Sequence, residues 1–490
     1  MPLKLINSTS QTIYMKRIGA ISILFSLIMF TLSLSAQNTN YKNILSGSWL
    51  GKISVSAVEL RLVFNIKLNE KDSLIATADS PDQGAKNIPL GRVILKNEEL
   101  IIQAPLLMAE YNGTIINDTT IKGTWTQRGG NYPVDLKKLK TAFVLNRPQE
   151  PKPPFPYLSE DVTFTNAKFN IQLAGTITMP KGEGPFPAAI MITGSGPQNR
   201  DEELLGHKPF LVISDWLTRN GIAVLRVDDR GVGKSQGSQL NSTSADFATD
   251  AEAAFIFLKT NPKINPKAIG LMGHSEGGLI APIVASLNPK IAFIVSLAGP
   301  GVTGQQVIIR QSQDIGRLSG VNEDQIKKSI ETNKKLYAVL RKEKDNTKAE
   351  VKILALYKEI LEKEKASKED SEKGVNQLKA TFGASKYTWL RYFMFTDPSV
   401  YWKKVKCPVL ALNGEKDLQV AAGENLPAIE KALKSSGNNS VKTIQLPGLN
   451  HLFQHCDKGL PSEYGNIEET FSPEALKIIS EWILGLKVSR

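Results

Sequence analysis

The residues best suited to chemistry lie in the pentapeptide Gly273-His274-Ser275-Glu276-Gly277, which has the pattern G-x-S-x-G. A short apolar run of strand character, 268–272, precedes it, and an apolar run of helical character, 279–287, follows it. A tight turn from strand to helix holds a serine hydroxyl clear of the backbone, and the two glycines leave room at the crowded corner. The N–H after the serine then points to where an oxyanion forms during acyl transfer. The pattern predicts that Ser275 is a nucleophile and that the Glu276 N–H is an oxyanion donor.

A second match to the same pattern is Gly233-Lys234-Ser235-Gln236-Gly237. It lies several residues beyond the nearest predicted strand, and the polar stretch 238–244 follows it where a helix would be needed. Ser235 is therefore predicted to be a loop serine. The stretch 231–235 also resembles the end of a phosphate-binding loop, but Asp228 stands where that loop requires its first glycine.

A serine nucleophile requires a general base, and the chain contains only four histidines. His451 follows the last predicted strand through a loop that can reach the turn, so it is predicted to be the base, with His455 as the alternative. His274 lies within the turn, where its side chain must point away from the serine. His207 lies in a loop and is predicted to be structural or to form part of a pocket wall.

The base in turn requires a carboxylate that fixes its tautomer and stabilises the imidazolium. Two acidic residues follow the predicted strand 409–412, and Asp417 is preferred because the turn at Gly414 carries the chain over the strand end. Glu415 is the alternative. A second oxyanion donor is expected from the loop after the predicted strand 188–193, where the Ser195 N–H is the candidate and a plain glycine turn is the alternative.

The elements that must position these residues are strands that alternate with helices. The predicted strands are 160–164, 171–179, 188–193, 222–227, 268–272, 291–297, 409–412 and 441–446. Apolar strands of this kind indicate an α/β domain with a mostly parallel sheet covered by helices on both faces. A lysine- and glutamate-rich helical insertion interrupts the alternation over about 302–400, and it is predicted to be a lid, with a solvated helical decoration as the alternative.

The chain before this domain has a different pattern. Residues 41–145 contain short alternating strands separated by turn residues, which predicts a small antiparallel β domain, either a barrel or a sandwich. Its predicted strands are 47–51, 59–68, 74–78, 91–95, 100–103 and 120–127. The proline-rich segment 146–157 is predicted to be a stiff linker, and the α/β domain is predicted to span 158–490.

The amino terminus carries a targeting pattern. Lys16 and Arg17 precede an uncharged apolar run, 18–34, and small residues end the segment at Ala36. This predicts a signal peptide over 1–36, with Met15 as a possible true start and a membrane anchor as the alternative. Export to the periplasm or secretion is therefore predicted, with no stable membrane span after cleavage.

The charge balance disfavours a nucleic-acid partner. The chain has 60 basic and 48 acidic residues, and removal of 1–36 takes away three basic residues and no acidic ones, which leaves 57 − 48 = +9. This excess is spread along the chain without a basic patch interleaved with aromatic residues, so no nucleic-acid binding is predicted.

Four stretches together resemble bacterial EstD-type esterases, which are two-domain members of the serine α/β-hydrolase superfamily: 194–201, 228–235, 273–278 and 414–417. The resemblance covers 158–488, about two thirds of the chain. It implies Ser275 as nucleophile, Asp417 as acid and His451 as base, acting on carboxylic esters. The order serine, aspartate, histidine along the chain is the one expected of this fold.

The predicted activity is therefore that of a serine carboxylesterase, which forms an acyl-enzyme intermediate on a small-molecule acyl ester and needs neither a metal nor an organic cofactor. A serine peptidase of the same fold is the first alternative. A non-catalytic binding protein with a relic triad is the second. The sequence makes no prediction of the oligomeric state.

Overall fold

The computed structural model describes residues 41–55, 58–83, 85–127 and 129–486. The chain divides into two compact units, the first ending at Leu145 and the second beginning at Asn146. The predicted signal peptide, 1–36, lies outside the described residues. Among the helices of the described segments, none combines the length and the apolar character needed to cross a membrane.

The first unit is one antiparallel sheet of ten strands, in the order β4-β3-β2-β1-β10-β8-β7-β6-β5, with β9 paired to β8. The strands are β1 (Gly47–Val55), β2 (Val58–Leu68), β3 (Leu74–Ser80), β4 (Ala85–Pro89), β5 (Val93–Lys96), β6 (Glu99–Ala104), β7 (Ala109–Asn117), β8 (Thr120–Gln127), β9 (Gly130–Pro133) and β10 (Leu136–Lys138). One apolar cluster fills its interior around Trp49, Phe64, Tyr111 and Trp125. A single sheet, and not the two sheets of a sandwich, therefore buries these side chains.

The second unit contains an eight-stranded sheet in the order β11-β12-β14-β13-β15-β16-β17-β18. Its strands are β11 (Leu158–Asn166), β12 (Ile171–Met179), β13 (Phe186–Ile192), β14 (Ala223–Val227), β15 (Ile264–His274), β16 (Ile294–Leu297), β17 (Val409–Gly414) and β18 (Val441–Leu446). The pairs that involve β12 are antiparallel, and all other neighbouring strands run parallel. This is the mostly parallel sheet that the apolar runs predict.

Helices cover both faces of this sheet. They are α1 (Pro209–Arg219), α2 (Ser244–Lys259), α3 (Gly277–Leu287), α10 (Ala422–Ser435) and α11 (Pro473–Gly485). Successive residues of β13 belong to apolar clusters on opposite faces of the sheet. Ile190 shares a cluster with residues of α2, α3 and α10, whereas Met191 shares one with residues of α1 and α11. Side chains of a strand alternate between faces, so burial on both faces requires the continuous apolar composition seen in the sequence.

Six helices form the insertion between β16 and β17. They are α4 (Gly304–Leu318), α5 (Glu323–Lys342), α6 (Asn346–Lys363), α7 (Lys368–Thr381), α8 (Tyr387–Phe395) and α9 (Ser399–Trp402). A separate apolar cluster holds several of them together and includes Leu340, Ile353 and Leu390. Most of the charged residues that mark this region in the sequence are exposed, as expected for helices with one apolar face.

The segment 146–157 belongs to the second unit. The Arg147 guanidinium donates to the carbonyl oxygens of Leu205, Gly206, Gly465 and Ile467 at 2.9–3.1 Å. The Gln149 side chain bonds the backbone of Thr470 and Phe471. A segment that the sequence presents as a spacer is therefore hydrogen-bonded to the α/β unit through two side chains.

The topology brings the predicted functional residues to one edge of the sheet. The loop with Ser195 follows β13, Ser275 follows β15, Asp417 follows β17 and His451 follows β18. These strands run parallel in the consecutive order β13-β15-β16-β17-β18, so their carboxyl ends lie side by side. Ligands of open α/β sheets bind at such an edge.

Candidate active site

Ser275 occupies a strained turn between β15 and α3. Its φ of 52° lies in the left-handed region, which is uncommon for residues other than glycine. The surrounding backbone is packed closely, since a Cβ at Gly273 would lie 2.0 Å from the Gly277 carbonyl oxygen and one at Gly277 would lie 2.2 Å from that of Ile192. Only glycine fits at either position without a shift of backbone. The Ser275 N–H donates to the Leu297 carbonyl at 2.8 Å and fixes the turn to β16.

Asp417 and His451 form a buried pair. The His451 Nδ1 lies 2.8 Å from the Asp417 Oδ2, and the two side chains are 6% and 0% exposed. The other carboxylate oxygen accepts the backbone N–H groups of Gln419 and Val420 at 2.8 and 2.9 Å. These bonds fix the carboxylate, which in turn orients the imidazole.

The alternatives considered from the sequence lie elsewhere. His455 is exposed and bonds Glu469 at 2.9 Å. The Glu415 carboxylate accepts the Gly448 N–H at 2.9 Å. His207 is buried between Thr470 and the Tyr464 carbonyl. None of these three side chains contributes to the buried pair of Asp417 and His451.

His274, the residue before the candidate nucleophile, contacts His451, the candidate base. Among the residues that the structure describes, no hydrogen bond joins the Ser275 hydroxyl to His451. The ring of His274 lies 4.8 Å from the His451 ring, centroid to centroid, and its Nε2 bonds the His451 carbonyl at 3.0 Å. Catalytic hydrogen bonds are often long or poorly aligned before substrate binds, so the lack of one between Ser275 and His451 does not argue against a serine–histidine couple.

The loop after β13 lies against Ser275. A Cβ at Gly194 would be 3.2 Å from the Ser275 Cβ, and the Gly194 N–H donates to the Glu202 carboxylate at 2.6 Å. Within the described segments, neither the Ser195 N–H nor the Glu276 N–H donates to a protein acceptor. These two backbone donors therefore have no protein partner within the described residues.

The carboxylate of Glu276 is a feature that the sequence reasoning missed. It is buried beside Ser275 and accepts the Ser244 hydroxyl at 2.6 Å and the Trp389 indole N–H at 2.8 Å. Burial raises the pKa of Glu276, and the hydrogen bonds from Ser244 and Trp389 partly offset this effect. Trp389 belongs to α8, so the helical insertion reaches the residue that follows the nucleophile candidate.

A second carboxylate, that of the partly buried Asp229, is hydrogen-bonded to the same loop. It accepts the Thr193 hydroxyl at 2.6 Å, the Gln198 N–H at 2.9 Å and the Gln239 side-chain amide at 3.0 Å. Burial is the main cause that raises its pKa to about 7, and the hydrogen bonds act in the opposite direction. The negative charges of Glu202 and Glu276 raise it further.

Ser235, in the second G-x-S-x-G match, has a different environment. Its hydroxyl donates to the Asp228 carbonyl at 2.7 Å and accepts the Ala174 N–H at 2.9 Å. Both bonds are to backbone groups, so the side chain ties a loop to β12. In the described part of the chain, no group of three or more His, Cys, Asp or Glu side chains is arranged to hold a metal ion.

Comparison with known proteins places this site in a family. A family model described as serine aminopeptidase, S33, matches residues 210–455, half of the chain, and this range includes Ser275, Asp417 and His451. Esterase EstD of Thermotoga maritima is 28% identical over 322 residues, which cover 64% of this chain and 65% of that esterase. A thiohydrolase of Arthrinium phaeospermum is 33% identical over 143 residues, which cover 29% of this chain and 43% of that protein. The chain thus spans less than two thirds of the length of these relatives.

The chain is also similar to solved structures. An esterase of Pyrococcus furiosus aligns over 70% of this chain and 98% of its own, with 16% identity and a TM-score of 0.42.

Proposed function

We propose, from the premise that the chain belongs to the serine aminopeptidase S33 family of α/β-hydrolases, that it hydrolyses carboxylic esters with Ser275, His451 and Asp417 as a catalytic triad. The observation that carries the proposal is the buried hydrogen bond of 2.8 Å between His451 and Asp417, at the sheet edge that also holds Ser275. A buried carboxylate fixes the tautomer of the imidazole and stabilises the imidazolium that forms when it takes a proton. The EstD relative supports esters as the substrate class.

The first half of the reaction forms an acyl-enzyme. The Ser275 Oγ attacks the ester carbonyl carbon while the His451 Nε2 takes the hydroxyl proton, and the carbonyl π electrons move to the oxygen. The backbone N–H groups of Glu276 and Ser195 stabilise this oxyanion, because neither is engaged by a protein acceptor in the described residues. Collapse of the tetrahedral intermediate breaks the bond to the leaving oxygen, which receives the proton from His451.

The second half regenerates the enzyme. Water attacks the acyl carbonyl carbon and gives a proton to His451, and the second tetrahedral intermediate collapses to a carboxylic acid and free Ser275, which recovers its proton from His451. The same two N–H groups stabilise the oxyanion in this step. No step draws on a residue outside the site already described.

The helical insertion is proposed to be a lid over the serine. The supporting contact is the hydrogen bond from Trp389 to Glu276, which joins α8 of the insertion to the residue after the nucleophile. Trp389 also stacks on Phe393 with ring centroids 5.3 Å apart, so the indole is held by its own helix. A lid of this kind excludes water from the acyl-enzyme and shapes the acyl pocket.

The test compares Ser275→Ala with Ser235→Ala, since both serines lie in the same pentapeptide pattern. Turnover of p-nitrophenyl acyl esters is expected to fall at least about 10⁴-fold in Ser275→Ala. Ser235→Ala should keep both turnover and labelling by a fluorophosphonate, because its hydroxyl bonds only backbone groups. Near-normal turnover by Ser275→Ala would refute the triad.

The same assay separates esters from peptides. The family description gives serine aminopeptidase as the alternative activity. Aminoacyl p-nitroanilides tested beside p-nitrophenyl esters of rising chain length decide between them, and we expect kcat/KM to be larger for the esters. A preference for the anilides would assign the chain to the peptidases.

A further inference from the structure

One buried carboxylate connects two separate parts of the proposed site. The Oε1 of Glu202 accepts the Gly194 N–H at 2.6 Å, and it lies 3.0 Å from the Nδ1 of His274. Gly194 precedes Ser195 in the loop that carries the proposed oxyanion donor. His274 precedes Ser275 and contacts the general base, so the contacts of Glu202 extend to both sides of the serine.

The imidazole of His274 continues the connection. Its Nε2 lies 3.0 Å from the backbone carbonyl oxygen of His451, and the two rings are 4.8 Å apart. The side chains of His274 and Glu202 are only 8% and 6% exposed. A continuous chain of hydrogen bonds therefore runs from the Gly194 N–H through Glu202 and His274 to the main chain of His451.

The hydrogen-bond directions fix the protons in this chain. A carbonyl oxygen can only accept, so the Nε2 of His274 carries a hydrogen. The Glu202 oxygen already accepts a backbone N–H, and as a carboxylate it accepts a second hydrogen from Nδ1. With Glu202 ionised, both ring nitrogens donate, and His274 is then an imidazolium paired with a buried carboxylate.

The electrostatic surroundings agree with this assignment. Burial lowers the pKa of His274, but the charge of Glu202 and the hydrogen bonds at both ring nitrogens outweigh burial, so the pKa is raised above its ordinary value. Asp417 is the other charged group that acts in the same direction.

We propose that Glu202 and His274 are positioning residues, a buried ion pair that holds the oxyanion loop and the backbone of the general base in register on either side of Ser275. The inference rests on the proposed function of Ser275 and His451. The same contact assigns the oxyanion donor of the loop. The Gly194 N–H is bound by Glu202, so the next N–H, that of Ser195, is left for the oxyanion. A misplacement of about 1 Å in such a site costs on the order of 100-fold in rate.

The substitution Glu202→Gln removes the negative charge of this side chain and keeps its size. The other oxygen of Glu202 has no protein partner among the described residues, so a glutamine amide nitrogen can occupy that position while its oxygen keeps the acceptor role toward Gly194. The imidazolium then loses its counter-ion. Asp250→Asn is the matched control, because Asp250 also forms a largely buried ion pair, with Arg230, and has no hydrogen bond or ion pair with the triad residues among the described residues.

The kinetic measurement uses p-nitrophenyl acyl esters on folded variants checked by circular dichroism. Glu202→Gln is expected to lower kcat about 10- to 100-fold with KM within about twofold, because the fault is in alignment and not in substrate binding. Asp250→Asn should keep kcat while it lowers the melting temperature. An unchanged kcat in Glu202→Gln would overturn the proposal.

A second measurement does not depend on turnover. Nitrogen NMR of protein labelled at its four histidines is expected to report both ring nitrogens of His274 as protonated at pH 7.5, with the signal assigned by its loss in His274→Asn. Glu202→Gln should abolish that doubly protonated state. An unprotonated nitrogen on His274 in the wild type would overturn the ion pair, even if the ester assay had already refuted the triad.

Discussion

Protonation of the Asp229 carboxyl should make the folding stability of the protein depend on pH. Its folded-state pKa is raised to about 7, mainly by burial, so the folded protein binds this proton more tightly than the unfolded chain does. The contribution to stability is therefore present at low pH and is lost as the pH rises through 7. Between pH 5 and pH 8 the loss should be about 2 to 3 kcal/mol.

Asp229→Asn should remove this loss. The amide nitrogen can face the Thr193 hydroxyl, which can accept, while the amide oxygen keeps the Gln198 N–H. Urea unfolding at several pH values should give a flatter profile than the wild type. Asp457→Asn, at an exposed carboxylate of the same unit, should run parallel to the wild type. If the pH profile of Asp229→Asn also ran parallel to that of the wild type, the prediction would be contradicted.

At the residue scale, the sequence can predict side chains that belong to a local pattern. Ser275 is marked by its glycines and by the strand and helix around it, and the few histidines leave little choice of base. Glu202 and the Glu276 side chain carry no such mark, because their partners His274 and Trp389 lie 72 and 113 residues away along the chain. Their roles depend on tertiary contacts that no local spacing contains.

The close packing between α3 and β13 makes a prediction at the scale of the element. Gly277→Ala places a Cβ 2.2 Å from the Ile192 carbonyl oxygen, so α3 and the end of β13 must move apart, and the turn with Ser275 moves with α3. We expect a loss of about 1–3 kcal/mol in unfolding free energy together with a fall in ester turnover. Thermal melts and ester kinetics measure the two effects.

Gly423→Ala is the matched helical control. Gly423 lies in the first turn of α10, and a Cβ there meets nothing within 4 Å. The added methyl should be neutral or should stabilise by up to about 1 kcal/mol, because alanine loses less conformational freedom than glycine. If both substitutions behaved alike, close packing at Gly277 would not be the cause.

Strands can be predicted from the sequence where burial imposes an apolar or alternating pattern on their residues. All eight strands of the second unit coincide with apolar or alternating runs, because a strand covered on both faces must be apolar throughout. In the first unit β7 (Ala109–Asn117) was missed, since its exposed polar residues and Gly113 interrupt the alternation. The short strands β4, β9 and β10 were missed because few residues carry their signal.

The boundary of the second unit makes a prediction for the whole molecule. A fragment that starts at 158 removes Arg147 and Gln149 and leaves several backbone groups without their hydrogen bonds. Because each of these hydrogen bonds contributes about 0.5–1.5 kcal/mol to stability, fragment 158–490 should melt clearly below fragment 146–490. Calorimetry of the two fragments measures the difference, and equal melting temperatures would show that these bonds contribute nothing.

The contact between Trp389 and Glu276 has a spectroscopic consequence. An indole whose N–H bonds a buried carboxylate has an emission that depends on the position and charge of that carboxylate, and here the carboxylate neighbours the serine that would carry the acyl group. Trp389 is one of six tryptophans, so replacing the other five with phenylalanine would isolate its signal. The chain thus contains its own fluorophore at the candidate site, and with it movement of the helical insertion and the proposed acylation could be followed in real time without an added dye.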